Sequence, residues 1–427
     1  MNRPAARRPR AVLIAVLALA LLLGGCGRWE EREPTPTPSA TPTRTPFVEP
    51  TPTPTPPAPL PEDVLERAVW VHLFDGALKT RDGIRRVVVD LVSAEATAII
   101  AEVVLRQDAY YGSEVLAHTA DPTLEPGLDV LAVLIEEAHA AGLEVHAWIP
   151  VAPTWHESYV GLPAPDGWLT AEHGLNAPEA DRWVTRTVDG TWDTYLDPGL
   201  PEVRAHLAAV VGEIASEYDV DGIHLDYVRY ASQRHGYHPR ALVRYQQETG
   251  ATGTPAPDDP AWSQWRREQV TELARAAAAA VEASGSPAML SAAVISWGDG
   301  PGGPTTPSFA ETRAYTDALQ DWEDWAEAGL VDVIMPMNYF REAKPDQAAW
   351  LRTWLAYQQH LTARTGARIV PGIAGYLNSP SDALTQVGLA MSGGGAAAVY
   401  SYQGSTSDPA FPLWADLAAT GWGDPGD

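Results

Sequence analysis

The sequence predicts a single (β/α)8 barrel of the TIM type, and two observations support this prediction. Eight short apolar runs, each of strand length, recur after residue 62. Most of the gaps between them contain a helix-length segment that is amphipathic or rich in alanine. Strands that alternate with helices form parallel sheets, and eight such units in one domain of this size favour a closed barrel. A doubly wound open sheet is the alternative, but no glycine-rich phosphate loop follows the first run.

The predicted elements follow one another in a regular order. Gly142 is suited to end the helix before the third strand, and Pro201 is suited to the first turn of the helix before the fourth. The predicted strands are 68–74, 96–105, 143–151, 222–228, 288–297, 331–340, 368–376 and 396–402. The predicted helices are 128–142, 201–218, 265–284, 315–329 and 347–365.

Residues 1–25 are expected to form a lipoprotein signal peptide. Four arginines precede an apolar run over residues 11–23, which is typical of a signal sequence. The LGGC motif that ends at Cys26 resembles a bacterial lipobox, which implies cleavage before Cys26 and acylation of its thiol. Cys26 is the only cysteine, so no internal disulfide can form. An uncleaved N-terminal anchor is the alternative, and either interpretation places the protein outside the cytoplasm, at the cell envelope.

Two further segments follow the signal peptide. Residues 26–62 are rich in Thr-Pro repeats, and proline lacks the N–H group that helices and sheets require. We therefore expect an extended, disordered linker over these residues. Residues 63–427 are assigned to the barrel domain.

The charge of the chain limits its partners. The formal net charge is −26, and residues 1–25 contain four arginines and no acid, so the remainder carries −30. Such an acidic body repels nucleic acid and anionic lipid, and nucleic-acid binding is not expected. Sixteen tryptophans and fifteen tyrosines against five phenylalanines give a surplus of flat rings with a polar atom, which sugar-binding clefts and ordinary cores both use.

Polar and aromatic side chains concentrate at the C-terminal ends of the predicted strands, where barrel enzymes carry their catalytic groups. We therefore expect substrate-binding residues there. The candidates are Arg106, Tyr110, His146, Trp148, His224, Arg229, Trp297, Asn338, Tyr339, Tyr376 and Tyr402.

The fourth strand contains the strongest catalytic candidate, Asp226. Because side chains alternate along a strand, His224 and Asp226 share one face and Ile223 and Leu225 share the other. The apolar pair suits packing against helices, so Asp226 is expected to face the barrel axis near its mouth. The alternative role for Asp226 is a salt bridge that orders a loop. The alternative for His146 and His224 is a hydrogen-bonded position in the protein interior. Asp221 precedes the strand and is interpreted as a turn residue.

Motifs for other chemistries do not occur in the sequence. There is no HExxH or paired-cysteine zinc motif, no G-x-S-x-G elbow and no phosphate loop, so no metal or cofactor is expected. Carboxylate chemistry remains, and glycosidic cleavage needs two carboxyl groups. The candidates for the partner of Asp226 are Glu102, Asp108 and Asp299. A regular second strand would place Glu102 deep in the barrel and Asp108 nearer its mouth.

Several segments together resemble the bacterial glycosyl hydrolase-like family 10, many of whose members are lipoproteins. The two most specific segments are GLEVHAWI, which ends at Ile149, and DVDGIHLDY, which ends at Tyr227. Others are RAVWVHL (67–73), RQDAYYGSEV (106–115), YLDPGLPEVR (195–204), WRREQV (265–270), VDVIMPMNYF (331–340) and PGIAGY (371–376). Many relatives have a second acid where this chain has Tyr227.

The resemblance implies a (β/α)8 barrel that hydrolyses a polysaccharide, in some members peptide-free peptidoglycan strands. It implies that Asp226 is the leading catalytic carboxylate and that Asp108 is its preferred partner, with Asp299 in reserve. It also implies supporting or sugar-binding roles for Arg106, His146 and Trp148, and for Asn338 and Tyr339. The expected protein is a monomeric, lipid-anchored glycoside hydrolase, and a carbohydrate-binding pseudoenzyme is the alternative.

Overall fold

The computed structural model describes residues 65–74, 76–154, 168–392, 395–402 and 413–423. The predicted signal peptide, Cys26 and the whole Thr/Pro-rich linker lie outside these ranges. No helix in the described ranges combines the length and the apolar character that crossing a membrane requires.

Eight parallel strands close into a barrel, which confirms the predicted fold class. Hydrogen bonding runs β1 to β2, β3, β4, β5, β6, β7 and β8, and β8 returns to β1. Each predicted strand overlaps an observed one, but the observed strands are shorter. The strands are β1 (Arg67–Val71), β2 (Ala98–Glu102), β3 (Glu144–Pro150), β4 (Gly222–Asp226), β5 (Met289–Ile295), β6 (Val333–Asn338), β7 (Arg368–Ile369 and Gly372–Ala374) and β8 (Ala397–Tyr400).

A helix follows each strand on the outside of the barrel. Several begin with proline at a first-turn position, as predicted for Pro201, and Gly142 follows the second with a φ of 79°. The helices are α1 (Arg81–Ser93), α2 (Val130–Ala140), α3 (Pro201–Glu217), α4 (Pro260–Ser284), α5 (Trp322–Ala328), α6 (Pro345–Thr365), α7 (Pro380–Met391) and α8 (Leu413–Thr420). Helices α1, α7 and α8 were not predicted from the sequence.

Strand alternation divides the core into an outer and an inner cluster. Outward residues such as Ile223 and Leu225 pack in the large cluster between the strands and the helices. Inward residues, among them Trp70, Ile100 and Met335, form a smaller cluster inside the barrel. Toward the C-terminal ends of the strands, this inward face carries the polar side chains of the barrel mouth.

Additional short elements decorate the C-terminal face of the barrel. A hairpin of Val184–Arg186 and Trp192–Leu196 lies between β3 and α3, and a helix over Pro239–Thr249 lies between β4 and α4. After β2 the chain does not continue as one strand: Val104–Leu105 pairs antiparallel with Asp108–Ala109. This small hairpin determines which acids can reach the centre of the barrel.

Candidate active site

A pocket of about 670 Å³ opens at the C-terminal end of the barrel. Its walls combine aromatic rings with three acids and two arginines. The lining residues that bear on its chemistry are Trp70, Phe74, Glu102, Arg106, Trp148, Asp193, Tyr195, Asp226, Tyr227, Arg229, Trp297, Met337, Tyr339, Tyr376 and Tyr400. This is where the fold of a barrel enzyme places its catalytic groups.

Asp226 ends β4 and is buried beneath the pocket surface. Tyr227, the next residue, adopts a left-handed conformation with a φ of 56°, which costs about 1–2 kcal/mol for a residue other than glycine. The Tyr227 N–H donates to Oδ1 of Asp226 at 2.6 Å. Burial raises the pKa of Asp226 to about 6, although the charge of Arg229 and the Tyr227 N–H favour the ionised form. Asp226 is therefore largely ionised at neutral pH.

Glu102 ends β2 and faces the same pocket. Its Oε2 accepts a hydrogen bond from the Leu73 N–H at 2.8 Å, and the residue is 2% exposed. Burial raises the pKa of Glu102 to about 8 against the effect of that N–H, and the charge of Asp226 adds to the rise. Glu102 therefore holds a proton at neutral pH, while Asp226 does not.

The strand register relates the two carboxyl groups. Trp148 of β3 pairs with Glu102 on one side and with His224 on the other. Asp226 lies two residues beyond His224, about 7 Å further along its strand. Because the strands of a closed barrel are tilted, this register is compatible with Glu102 and Asp226 pointing into the same pocket from strands two positions apart.

The third pocket acid has a different environment. Oδ2 of Asp193, in the hairpin after β3, contacts Nε2 of His235 at 2.8 Å. The hydrogen bond from His235 lowers the pKa of Asp193 despite partial burial. Asp193 is therefore a partnered, ionised group at the edge of the pocket, unlike Glu102 and Asp226.

Aromatic rings form the floor and the rim of the pocket. Tyr339 and Tyr400 stack with ring centres 5.4 Å apart, and Trp148 meets Tyr400 edge to face at 6.1 Å. At the rim, Phe74 and Tyr376 are about half exposed, at 51% and 49%. Flat rings of this kind can pack against the apolar faces of sugar rings, while their polar atoms can bond hydroxyl groups.

The structure places seven of the predicted site residues on the pocket wall. These are Arg106, Trp148, Asp226, Arg229, Trp297, Tyr339 and Tyr376. The prediction that Asp226 faces the interior near the mouth agrees with this placement. His224 also faces the interior, but it lies below the pocket, where its Nε2 accepts a hydrogen bond from the Trp70 indole at 3.1 Å. Burial lowers the pKa of His224 to about 3, so the ring is neutral and supports Trp70.

Asp108 and Asp299 do not line the pocket. Arg106 and Gln107 both have left-handed backbones, with φ of 60° and 67°, and form the tight turn of the hairpin after β2. This turn breaks the strand alternation, so Asp108 lies beside Arg106 in a buried ion pair of 3.0 Å. Asp299 is directed back into its own loop, where its Oδ2 accepts a hydrogen bond from the Thr305 hydroxyl at 2.9 Å.

Four other predicted residues also lie away from the pocket. His146 is at the opposite end of the barrel interior, where Nε2 contacts Glu144 at 3.2 Å. Asn338 falls on the outward face of β6 and exchanges two hydrogen bonds with Gln358 of α6. The remaining two donate through their hydroxyl groups, Tyr110 to Asp121 and Tyr402 to Asp90.

Several lining residues were absent from the predicted set. Trp70, Phe74, Asp193, Tyr195, Tyr227 and Tyr400 are the principal ones. Trp70 and Tyr400 could have been found by counting alternate inward positions on β1 and β8. Tyr195 and Asp193 belong to the hairpin after β3, which the apolar periodicity did not indicate.

A second, smaller groove of about 320 Å³ adjoins the pocket. Trp297, Tyr339 and Phe340 line both, so the two cavities are continuous along one wall. Arg313 and Trp350 complete the groove on its outer side. Across the described ranges no three His, Cys, Asp or Glu side chains are arranged so that they could hold a metal ion.

Comparison with known sequences gives one consistent result. The sequence model of the family described as glycosyl hydrolase-like 10 matches residues 66–383. The chain is 27% identical over 260 residues to glycosyl hydrolase YngK of Bacillus subtilis (strain 168), covering 59% of this chain and 47% of that protein. It is 26% identical over 259 residues to glycosyl hydrolase DigH of Escherichia coli (strain K12), covering 59% and 55%. The chain thus spans about half the length of these relatives.

Solved structures with a similar fold are also glycosidase domains. The PgaB (BpsB) glycoside hydrolase domain from Bordetella bronchiseptica has a TM-score of 0.59 at 14% identity, covering 83% of this chain and 99% of that domain. An endo-β-1,4-mannanase from Thermotoga petrophila has a TM-score of 0.53 at 10% identity, covering 86% and 79%. At these identities the similarity establishes the barrel fold alone.

Proposed function

The chain belongs to the glycosyl hydrolase-like 10 family, and from this premise we propose that it is a glycoside hydrolase. It cleaves O-glycosidic bonds of a cell-envelope or extracellular polysaccharide. The observation that carries the proposal is the pair of buried carboxyl groups, Glu102 and Asp226, that face one aromatic-lined pocket. Hydrolysis of a glycosidic bond needs two such groups, one protonated and one ionised.

The protonation states assign a role to each group. Glu102, whose pKa is raised to about 8, keeps a proton at neutral pH and acts as the general acid toward the leaving-group oxygen. Asp226, whose pKa is raised to about 6, is ionised and supplies negative charge to the oxocarbenium-like centre that forms as the bond breaks. Many relatives carry a second acid at the position of Tyr227. In the assignment proposed for this chain, the second acid is Glu102 on β2.

The aromatic walls support a sugar substrate. Trp148, Tyr339 and Tyr400 line the same pocket as the two acids and contact one another, and Tyr376 extends this aromatic surface to the rim. The adjoining groove beside Trp350 offers room for a neighbouring sugar unit. We therefore infer that the site accepts a chain longer than a single sugar.

The direct test is a glycan screen of the purified chain that measures the release of reducing ends. The panel includes peptide-free peptidoglycan strands and neutral β-linked polysaccharides, with D226N as the inactive variant and D108N as its control. We expect at least one glycan to be cleaved by the wild type and by D108N but not by D226N. Binding without cleavage by any of the three would favour the carbohydrate-binding alternative, and D226N with wild-type turnover would refute the assignment.

We also propose that the protein is anchored to the outer side of a membrane through an acylated Cys26. The support is the basic, apolar and LGGC order of residues 1–26, and the Thr/Pro-rich linker would give the barrel reach from the membrane. Metabolic labelling with a fatty acid tests this: label should appear on the wild type and be lost in C26S. Equal labelling of both would contradict the anchor.

A further inference from the structure

The strongest feature that hydrolysis of a neutral glycan leaves unexplained is Arg229 in the pocket wall. The residue is only 9% exposed, and its charge favours the ionised form of Asp226. No acidic side chain among the described residues, Asp226 included, lies within ion-pairing distance of the Arg229 guanidinium group. One of its five N–H groups bonds the carbonyl of Tyr230, at 3.3 Å, and the buried Nε has no partner. Buried charges are normally paired, because an unpaired one loses its hydration without compensation.

Two aromatic rings fix the orientation of this guanidinium group. Its central carbon lies 4.8 Å from the centre of the Tyr227 ring and 5.3 Å from that of Trp297. Rings that cover the faces of a guanidinium group leave its edge, where the N–H groups are, as the part free to bind. The left-handed backbone of Tyr227 helps to form this arrangement, because it turns the chain immediately after Asp226.

We propose that Arg229 is an anion subsite that binds the carboxylate of an acidic sugar unit in the substrate. The proposal rests on the glycoside hydrolase function and names its substrate class. A planar carboxylate matches the paired donors of a guanidinium edge and supplies an opposite charge, which a sugar hydroxyl does not. In the adjoining groove, Arg313 lies 5.2 Å from the centre of the Trp297 ring but is paired with Asp317 at 2.7 Å, so Arg229 is the better candidate for binding an anion.

The carboxylate can come from two kinds of sugar. A hexuronic acid carries it on the ring, and a muramic acid carries it on a lactyl ether. The test therefore uses two oligosaccharide arms, a peptide-free peptidoglycan tetrasaccharide and a β-linked oligoglucuronate. Each is paired with a counterpart in which the carboxyl groups are reduced to alcohols.

Binding is measured by calorimetry on full chains that carry D226N, so that no glycan is cleaved. One acidic oligosaccharide should bind at least about 10-fold more tightly than its reduced counterpart, the range for a charge-assisted hydrogen bond. Adding R229Q should remove this preference, and R229K should restore part of it. The matched control is R186Q, since Arg186 also lies over a tryptophan ring, Trp192, but outside the pocket.

The outcomes separate this proposal from the hydrolase assignment. Equal binding of acidic and reduced forms in both arms, absence of binding in both arms, or a preference that persists in R229Q would overturn the anion subsite. Turnover by the wild type in the glycan screen is scored independently. An acid preference that R229Q removes, together with no turnover on any glycan, would instead refute the hydrolase and leave the subsite in place.

Discussion

Two groups of buried carboxyl side chains in this protein have opposite surroundings. Asp121, in the loop between β2 and α2, forms an ion pair with Lys79 at 2.6 Å. It also accepts hydrogen bonds from Thr123 and from the Tyr110 hydroxyl. Burial alone would raise the pKa of Asp121, but these partners together lower it to about 2. The carboxylate is fully satisfied, and its side chain is inaccessible to a ligand.

Glu102 and Asp226 are buried to a similar degree but have few partners. Each accepts one backbone N–H, from Leu73 and Tyr227 respectively, and the pKa of each is raised. The comparison shows that burial does not by itself distinguish structure from function in this barrel. A buried carboxyl group whose oxygens all have hydrogen-bond or ion-pair partners stabilises the loops around it. A buried carboxyl group that lacks some of these partners and lies beside a cavity is available for chemistry.

The largest difference between the two groups should appear in catalysis. D226N removes the ionised group from the pocket and should lower kcat by about 10³-fold or more on the cleaved glycan. D121N removes an equally buried carboxylate outside the pocket and should leave kcat within a few-fold of wild type. Steady-state kinetics on the folded fractions measure both. A comparable loss of kcat in D226N and D121N would show that the two carboxyl groups do not differ in their role in catalysis.

Stability should respond in the opposite order. D121N leaves the charge of Lys79, which is only 4% exposed, without its partner, and should lower the free energy of unfolding by about 3 kcal/mol. Because the folded pKa of Asp121 is depressed, its stabilisation is present above about pH 4 and is lost as the pH falls toward 2. Urea unfolding of both proteins at neutral pH measures the loss. A D121N protein as stable as wild type would show that the network is not structural.

An effect of opposite sign is expected for D226N. A raised folded pKa means that the ionised Asp226 costs stability, and the cost grows from about pH 4 and is complete above about pH 6. The neutral amide should therefore raise the free energy of unfolding at neutral pH by at most roughly 3 kcal/mol. Unfolding curves at pH 4 and pH 7 test this, because the gain should be present only at the higher pH. Destabilisation by D226N at neutral pH would place Asp226 among the structural acids.

The sequence predicted the barrel and the direction of Asp226 because both follow from simple alternation. Apolar runs repeat at regular spacing, and Ile223 and Leu225 occupy the outward face of β4. The same alternation placed Glu102 inward on β2, which the structure also has. In these strands the backbone is regular, so counting by two is sufficient.

The preference for Asp108 came from the family resemblance, and its expected place near the barrel mouth required the alternation to continue past Glu102. It does not continue, because Arg106 and Gln107 adopt left-handed conformations that neither residue type signals. The turn gives Asp108 a buried partner in Arg106 instead of a place in the pocket. The prediction that Asn338 binds substrate failed for a simpler reason. Asn338 lies near the C-terminal end of its strand, but on the outward face, where it contacts Gln358. Position at a strand end was therefore not sufficient for a place in the site.

The central claim is that Glu102 and Asp226 work as a pair with opposite protonation states. The most direct measurement is the dependence of kcat/KM on pH, from about pH 5 to pH 9, for the wild type and E102Q on the same glycan. We expect the wild-type value to rise as Asp226 ionises near pH 6 and to fall as Glu102 loses its proton near pH 8. E102Q should be much slower and should lack the fall above pH 8. A wild-type profile without the alkaline fall, or an E102Q profile that keeps it, would contradict the account.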